Sequence, residues 1–201
     1  MAFGRHWEWR GFGSGRESIC ARVVEFPAIF PEAQEITDRY LWVADSALNV
    51  KLRLGRFKLK RPLGRECGIE QWLEDPAEDF AFPLRADVLR DVAAAFGMSE
   101  TSAIPETIAS DAELVALFRE RVRVVEVAKR RSQHRIPHAD IVVEHAQIGS
   151  PERCVSIGIE HEDRDAVLDA LKELGLPGEL RTLNYIDALT IWARGERILD
   201  R

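Results

Sequence analysis

The chain has 201 residues, 46% hydrophobic and 31% charged, which suits one domain with a buried core. No apolar run approaches the roughly 20 residues that span a bilayer, and the first residues lack the apolar stretch of a secretory signal. The formal net charge of −6 argues against a nucleic-acid-binding domain, because such domains are usually basic as a whole.

The three cysteines, Cys20, Cys67 and Cys154, lie far apart and form no CxxC pair. An odd number of scattered thiols is typical of a reduced cytosolic protein, not of a disulfide framework or a structural zinc site. We therefore expect a cytoplasmic protein with no membrane partner.

The N-terminal part of the chain is predicted to consist of strands. Residues 6–10 alternate polar and aromatic side chains, as a half-buried strand does, and the glycine-rich residues 11–15 are interpreted as a turn or flexible loop. Further strands are predicted at residues 36–43, 49–54 and 56–61, the last two joined through Gly55 as a hairpin.

The rest of the chain mixes helices and strands. Helical spacing predicts a helix over 86–96 that ends at Gly97 and a second helix capped by Asp111, so that residues 76–120 form a mainly helical insertion. Strands are then predicted at 122–131, 140–148 and 153–160, and helices at 163–174 and 185–194. The pattern indicates one α+β domain over residues 1–201, with an antiparallel sheet curled toward a barrel.

Basic residues concentrate in two segments. Residues 49–65 contain seven Lys or Arg and no acid, and residues 119–135 contain seven more beside Glu120 and Glu126. Half of the 28 basic residues of an acidic chain therefore lie in these two segments. Such a distribution favours a compact anion over a long polyanion, so nucleic acid is not the expected partner.

Strand alternation places several of these cations on common faces, because side chains at i and i+2 point the same way. The pairs concerned are Lys51 and Arg53, Lys58 and Lys60, and Lys129 and Arg131. Antiparallel sheets commonly expose one face to solvent, and charged residues on such a face require no ligand. However, cations on neighbouring strands repel each other unless acids or a bound anion intervene, and the hairpin has no acid of its own.

Several short motifs then follow in an order that resembles a known family. They are Asp38-Arg39-Tyr40, Lys51-Leu52-Arg53, Lys58-Leu59-Lys60, Lys129-Arg130-Arg131, Ile157-Gly158-Ile159-Glu160 and Asn184-Tyr185. With the early strand, they resemble the CYTH superfamily, also called triphosphate tunnel metalloenzymes. The resemblance covers most of the chain outside the insertion.

The resemblance implies an α+β fold built on an eight-stranded antiparallel β-barrel, or tunnel, with helices packed outside it. In that family, basic residues grip a polyphosphate and acidic residues hold Mg²⁺ or Mn²⁺. Its members include inorganic triphosphatases, thiamine triphosphatases, class IV adenylate cyclases and RNA triphosphatases. The resemblance thus implies a phosphorylated small molecule or a polyphosphate as ligand.

Two signatures of the family are incomplete in this chain. The first-strand ExExK pattern falls on His6, Glu8 and Arg10, so histidine replaces one acid and arginine replaces lysine. The late ExE pattern falls on Gly158 and Glu160, so a second acid is missing. Two carboxylates suffice to hold one Mg²⁺, and arginine keeps the positive charge of lysine.

Carried over residue by residue, the family pattern predicts three roles. The predicted phosphate-binding residues are Lys51, Arg53, Lys58, Lys60, Lys129 and Arg131. The predicted catalytic residues are Glu8, Arg10 and Lys129, and the predicted metal ligands are Glu8, Glu160 and Glu144.

Three functions are compatible with these features. The first is metal-dependent hydrolysis of a triphosphate-containing small molecule or inorganic tripolyphosphate, which would make the protein a triphosphatase. The second is non-catalytic binding of a phosphorylated metabolite or polyphosphate by a barrel that has lost part of its metal site. The third, an RNA-binding surface, agrees least with the acidic net charge.

Overall fold

The structure is a computed structural model that describes residues 4–98, 104–136 and 138–200. Its strands are β1 (Arg5–Gly13), β2 (Gln34–Trp42), β3 (Asn49–Arg53), β4 (Arg56–Glu66), β5 (Ile69–Leu73), β6 (Asp79–Ala81), β7 (Leu84–Arg85), β8 (Thr107–Ile108), β9 (Arg123–Ile136), β10 (Ile141–Ser150), β11 (Cys154–His161) and β12 (Arg181–Thr182). Its α-helices are α1 (Ser18–Val23), α2 (Ala86–Ala95), α3 (Asp111–Phe118), α4 (Arg164–Glu173) and α5 (Tyr185–Ala193). Single 3-10 turns lie at Pro76–Glu78 and Ile198–Asp200.

Eight strands close into an antiparallel β-barrel. Their order around the barrel is β1, β11, β10, β9, β2, β3, β4 and β5, and the pairing of β5 with β1 closes the circle. The short strands β6 and β12 add to β4 and β1, and β7 pairs with β8 outside the barrel. The predicted α+β class and the eight-stranded antiparallel barrel are therefore confirmed.

The five helices among the described residues pack outside the barrel, and α1 to α4 cover the apolar outward faces of its strands. Outward-facing residues such as Val143 of β10 and Ile157 of β11 share one apolar cluster with α1 and α4. Outward-facing Leu52 of β3 and Phe57 of β4 share a second cluster with α2 and α3. Because the apolar residues of these strands face the helices, the polar residues that alternate with them face the barrel interior.

Helix α5 packs across one end of the barrel. Its residues Leu189 and Trp192 form a third apolar cluster with Phe12 and Val127, which point inward from β1 and β9. The rings of Phe12 and Trp192 meet edge to face, with their centroids 5.9 Å apart. The barrel interior is therefore apolar at this end and polar further along.

The glycine-rich segment after the first predicted strand is not a turn. Strand β1 runs on to Gly13, so the interpretation of residues 11–15 as a loop is wrong for its first part. A β-carbon at Gly11 would lie 2.5 Å from the Trp9 ring, and one at Gly13 would lie 2.5 Å from a Leu180 methyl group. These glycines allow close packing on the outside of the strand, which a composition-based interpretation does not distinguish from flexibility.

The sequence prediction lacked strand β5, helix α1 and the short strands β6, β7, β8 and β12, and it assigned one helix cap to the wrong residue. Strand β5 is the eighth strand of the barrel, and helix α1 packs with α4. Both are short, at 5 and 6 residues, which weakens any periodic signal. Helix α3 is capped by Ser110, whose hydroxyl accepts a hydrogen bond from the Glu113 amide, and Asp111 is its first residue.

The predicted insertion over residues 76–120 contains helices α2 and α3 together with the short strands β6, β7 and β8. Residues 99–103 of this segment lie outside the described residues, and the division of the chain into one domain with an insertion stays a prediction. No helix in the described ranges combines the length and the apolar character that crossing a membrane requires.

Candidate functional site

The ten residues predicted for the site all line one cavity inside the barrel, with a volume of about 230 Å³. They are Glu8, Arg10, Lys51, Arg53, Lys58, Lys60, Lys129, Arg131, Glu144 and Glu160. Six further residues complete the lining, namely Tyr40, Asn49, Trp72, Glu74, Gln133 and Tyr185. The structure thus brings the predicted residues together, while their assignment to phosphate binding, catalysis or metal binding stays a prediction.

Strand alternation explains why these basic residues point inward. On β9, Lys129 and Arg131 line the cavity, whereas Arg130 between them is exposed. On β3, Lys51 lines the cavity, whereas Leu52 packs into the outer apolar cluster. The period of two along each strand therefore decides which half of the cations can reach a common ligand.

Like charges stand directly opposite each other on neighbouring strands. The Cα partner of Lys51 on β3 is Lys58 on β4, and the Cα partner of Glu8 on β1 is Glu160 on β11. Like-charged pairs in this position destabilise a sheet. Counter-ions offset part of this repulsion, since Lys58 Nζ donates to Asp79, and Glu8 accepts from Arg10 and Lys60.

Asp38 is a central carboxylate that the sequence prediction did not assign to the site. It is fully buried, accepts two 2.6 Å hydrogen bonds from the Arg53 guanidinium and lies 3.0 Å from Lys129 Nζ. Burial alone would raise its pKa, but the Arg53 hydrogen bonds and the Lys129 charge hold that pKa well below its ordinary value. Asp38 therefore stays ionised and orients two of the predicted phosphate-binding side chains.

Lys51 differs from the other cavity cations. It forms no hydrogen bond or ion pair with the residues that the structure describes, whereas Lys60 contacts both Glu8 and Glu74. Burial, followed by repulsion from Arg53, lowers the pKa of Lys51 to about 8. An anion entering the cavity would offset this repulsion and raise the pKa of Lys51 again, so Lys51 is the cation most available to a ligand.

The carboxylates of Glu8 and Glu144 form an acidic wall around Arg10. The Arg10 Nε atom donates to Glu8 Oε1 at 2.9 Å, and Nη1 donates to Glu144 Oε1 at 3.0 Å. The second oxygen of Glu8 accepts from Lys60 Nζ, and that of Glu144 accepts from Arg131 Nε at 2.5 Å. Each of these four carboxylate oxygens is therefore engaged by a basic side chain.

The charges of these partners decide the ionisation of both acids. Burial would raise the pKa of Glu8, but Lys60 and Arg10 outweigh it and lower that pKa to about 2. Burial likewise opposes ionisation of Glu144, and Arg131 and Arg10 hold its pKa well below the ordinary value. Both groups are anions at neutral pH.

Glu160 is the third acid of this wall and is less firmly held. Its Oε1 atom lies 3.7 Å from Arg10 Nη2, and its side chain is 21% exposed. Burial raises its pKa, and the neighbouring Glu8 charge adds to this effect against the opposing charge of Lys60. Glu160 is therefore the carboxylate that most readily takes up a proton.

Aromatic rings support the cations at the end of the cavity near α5. Tyr185, the first residue of α5, stacks on Tyr40 with ring centroids 5.3 Å apart. Arg10 Cζ lies 5.0 Å and Lys129 Nζ 4.9 Å from the centre of the Tyr185 ring, which is a favourable cation–π distance. Tyr185 also accepts a hydrogen bond from Lys129 Nζ at 3.2 Å.

The Mg²⁺ or Mn²⁺ implied by the family resemblance does not fit the acidic wall as it stands. Mg²⁺ usually takes one or two carboxylates into a near-octahedral oxygen shell, and all four oxygens of Glu8 and Glu144 already accept from cations, which leaves Glu160 as the single predicted ligand without such a hydrogen bond. His6, which stands at the first acidic position of the family signature, is buried and does not line the cavity, and its pKa is lowered by burial to about 4. No group of three or more His, Cys, Asp or Glu in the described ranges is arranged to hold a metal ion.

Comparisons by sequence identify no relative. No protein-family model matches the chain, and no curated protein matches it. The fold, in contrast, has counterparts among solved structures.

A conserved hypothetical protein from Pyrococcus furiosus superposes with a TM-score of 0.53 at 14% sequence identity, over 89% of this chain and 98% of the other. A Pyrococcus horikoshii protein gives a TM-score of 0.49 at 12% identity, over 89% and 97% of the two chains. A Bacillus halodurans protein named "putative adenylate cyclase" gives 0.47 at 11% identity, over 92% and 97%. At this level of identity the first likeness shows a shared fold alone, and the other two are too distant to carry an argument. The closed barrel fits the CYTH-like fold that the sequence resemblance implied.

Proposed function

We propose that this protein binds a compact polyphosphate in the cavity of its barrel, either inorganic tripolyphosphate or the triphosphate group of a small molecule. The observation that carries the proposal is the convergence of seven basic side chains from four strands on one cavity with four acidic ones. The basic residues are Arg10, Lys51, Arg53, Lys58, Lys60, Lys129 and Arg131.

The enclosed position of the cations argues against an ordinary solvated sheet face. Lys60 and Lys129 are buried, with exposures of 7% and 4%, and burying an ammonium group costs several kcal/mol unless it is compensated. Lys60 is compensated by Glu8 and Lys129 by Asp38, whereas Lys51 forms no ion pair with the described residues. A multiply charged anion supplies the missing negative charge, and phosphate oxygens also accept the directed hydrogen bonds of lysine and arginine.

The size of the cavity agrees with a small, highly charged ligand. Its volume of about 230 Å³ lies below the roughly 300–1,000 Å³ of clefts that enclose a drug-sized ligand. A triphosphate group therefore fits inside, while a nucleoside or similar group attached to it would extend out of the cavity. Membership of the CYTH superfamily is part of this proposal and is supported by the motif order and the barrel.

Calorimetric titration with inorganic tripolyphosphate tests the proposal. The informative variant is Lys51→Ala, because Lys51 forms no ion pair with the described residues and its removal leaves no buried acid behind. We expect its affinity to fall about 10- to 100-fold, since a hydrogen bond to a charged group contributes about 1.5–3 kcal/mol. The matched control is Arg130→Ala, which removes an exposed cation from β9 and should leave the affinity unchanged. Absence of wild-type binding would refute the proposal.

Metal-dependent hydrolysis is the second candidate function. It is favoured by the convergence of Glu8, Glu144 and Glu160 on one side of the same cavity. The test is phosphate release from tripolyphosphate, ATP and thiamine triphosphate in the presence of Mg²⁺ or Mn²⁺. If the wild-type protein releases phosphate no faster than the Glu8→Ala/Glu160→Ala double variant, hydrolysis is refuted and binding remains as the function.

A further inference from the structure

We propose that the guanidinium of Arg10 takes the place of a divalent cation between Glu8, Glu144 and Glu160, so that the cavity binds its polyphosphate without a metal ion. This inference rests on the proposed function, because it specifies how the same cavity neutralises the same ligand. It departs from what the family resemblance implies.

The first observation is the position of the Arg10 side chain. It is 94% buried and engages Glu8, Glu144 and the Ser156 hydroxyl through Nε and Nη1, at 2.9, 3.0 and 3.2 Å. Its Nη2 atom lies 3.7 Å from Glu160 Oε1. One fixed cation therefore stands among the three carboxylates that were predicted to hold the metal.

The second observation is that Gly158 makes room for this guanidinium. A β-carbon at position 158 would lie 2.6 Å from Arg10 Nη2 and 2.8 Å from Cζ, well inside van der Waals contact. Arg10 and Gly158 are Cα partners across the β1–β11 pair. The arginine that replaces a lysine and the glycine that replaces an acid in the family signatures therefore lie in direct contact. Any side chain at position 158 would therefore require the Arg10 guanidinium to leave its present position among the three carboxylates.

The third observation is the set of cations that surround the acidic wall. Lys60 donates to Oε2 of Glu8 and Arg131 donates to Oε2 of Glu144, while Arg10 donates to the Oε1 atoms of both residues. A divalent ion among these oxygens would stand beside three positive charges in a region of low dielectric constant. The guanidinium meets less repulsion, because it carries a single charge and has only Lys60 and Arg131 as cationic neighbours on these oxygens.

Arg10 can also serve the ligand directly. Its Nη2 atom forms no hydrogen bond with the described residues, and Arg10 lines the cavity. Arginine is always charged, so its hydrogen bonds to phosphate oxygens can neutralise negative charge that a metal ion would otherwise neutralise. The acids around Arg10 hold the guanidinium in position for this contact.

The experiment has two arms on the wild-type protein. Titration with tripolyphosphate in EDTA is expected to give an affinity within about threefold of that in Mg²⁺ after correction for Mg²⁺ bound by free tripolyphosphate. Titration with Mn²⁺ alone, followed by electron paramagnetic resonance, is expected to show no binding. Tripolyphosphate binding that requires Mg²⁺, or Mn²⁺ binding to the protein alone, overturns the inference and leaves the proposed function intact. Absence of tripolyphosphate binding under both conditions instead refutes the proposed function.

A double variant tests the residues themselves. Arg10→Lys/Gly158→Glu removes the guanidinium and adds a carboxylate in the space that it occupied, so we expect Mn²⁺ binding to appear in the resonance titration. The control is Gly158→Glu alone, in which the retained Arg10 overlaps the new side chain and Mn²⁺ binding should not appear. A folded double variant that fails to bind Mn²⁺ contradicts the inference. If the double variant does not fold, the two wild-type titrations decide.

Discussion

At the scale of single residues, the charges inside the barrel hold each other in place. Asp38 balances Arg53 and Lys129, while Glu144 balances Arg131 and Arg10. Buried ions are tolerated only when they are paired, because removal of one partner leaves the other uncompensated. Each of these acids therefore contributes to stability as well as to the arrangement of the cations.

Asp38→Asn should lower the free energy of unfolding by about 3–5 kcal/mol, because Lys129 and Arg53 lose their shared counter-charge inside the barrel. Urea denaturation followed by circular dichroism measures the change. Asp45→Asn, at an exposed position, is the control and should cost less than about 0.5 kcal/mol. Equal effects of the two substitutions would show that Asp38 is not the counter-ion described above.

Lys51 predicts a pH dependence of ligand binding. The pKa of Lys51 is about 8 in the folded protein, below its ordinary value, and a bound anion raises it because it favours the charged form. The contribution of Lys51 to affinity is therefore complete below about pH 8 and declines as the pH rises, by at most about tenfold per pH unit. Titrations of tripolyphosphate between about pH 7 and about pH 9.5 test this decline.

The matched variant for this measurement is Lys51→Arg, which stays charged over the whole range. Ionisation of tripolyphosphate itself affects both proteins equally, so the ratio of their dissociation constants isolates Lys51. We expect wild-type protein to lose affinity relative to the variant above about pH 8. Parallel pH profiles would contradict the assignment.

At the scale of elements, the C-terminal segment is attached through one buried acid. Glu152, in the turn between β10 and β11, accepts hydrogen bonds from Trp192 Nε1 at 3.0 Å and from the amides of Ile198 and Leu199 at 2.8 and 3.2 Å. Arg197 lies 3.6 Å from the same carboxylate. Because Trp192 belongs to α5, this contact helps to hold the helix across the end of the barrel.

Glu152→Ala should lower the free energy of unfolding by about 2–4 kcal/mol, because each buried donor left without an acceptor costs about 1–3 kcal/mol. Urea denaturation measures the loss, and hydrogen exchange at the Ile198 amide should accelerate. Glu162→Ala, an exposed substitution, serves as the control. Unchanged exchange at Ile198 in Glu152→Ala would show that the segment is held by other contacts.

At the scale of the whole molecule, barrel closure assembles the site from distant parts of the chain. The β1–β11 pair places Glu8 beside Glu160, and the β2–β9 pair places Asp38 close to Lys129. The proposed ligand contacts thus extend over strands that are far apart in sequence. A bound polyphosphate is expected to stabilise the entire barrel and not a single element.

Tripolyphosphate should therefore raise the unfolding temperature of the protein. At about 100 times the dissociation constant, binding adds about 2.7 kcal/mol, which corresponds to about 5–10 °C for a chain of this size. Differential scanning calorimetry measures the shift, with sodium sulfate at equal ionic strength as the control. An identical shift in sulfate would indicate general charge screening in place of a specific site.

Sequence alternation alone shows which cations share a face, because alternation along a strand is a local property. Lys51 with Arg53 and Lys129 with Arg131 could be paired in this way without knowledge of the fold, and motif order then indicated a barrel. The ten residues predicted for the site line one cavity for this reason.

The partners of these cations become visible in the folded protein alone, because strand pairing is non-local. A single acid such as Asp38 carries no periodic signal, and its role depends on where β3 and β9 lie beside β2. Gly158 likewise resembled a lost acid until the β1–β11 register placed it under the Arg10 guanidinium. Local patterns select the face of a strand, whereas register and barrel closure select the neighbour that each charge meets.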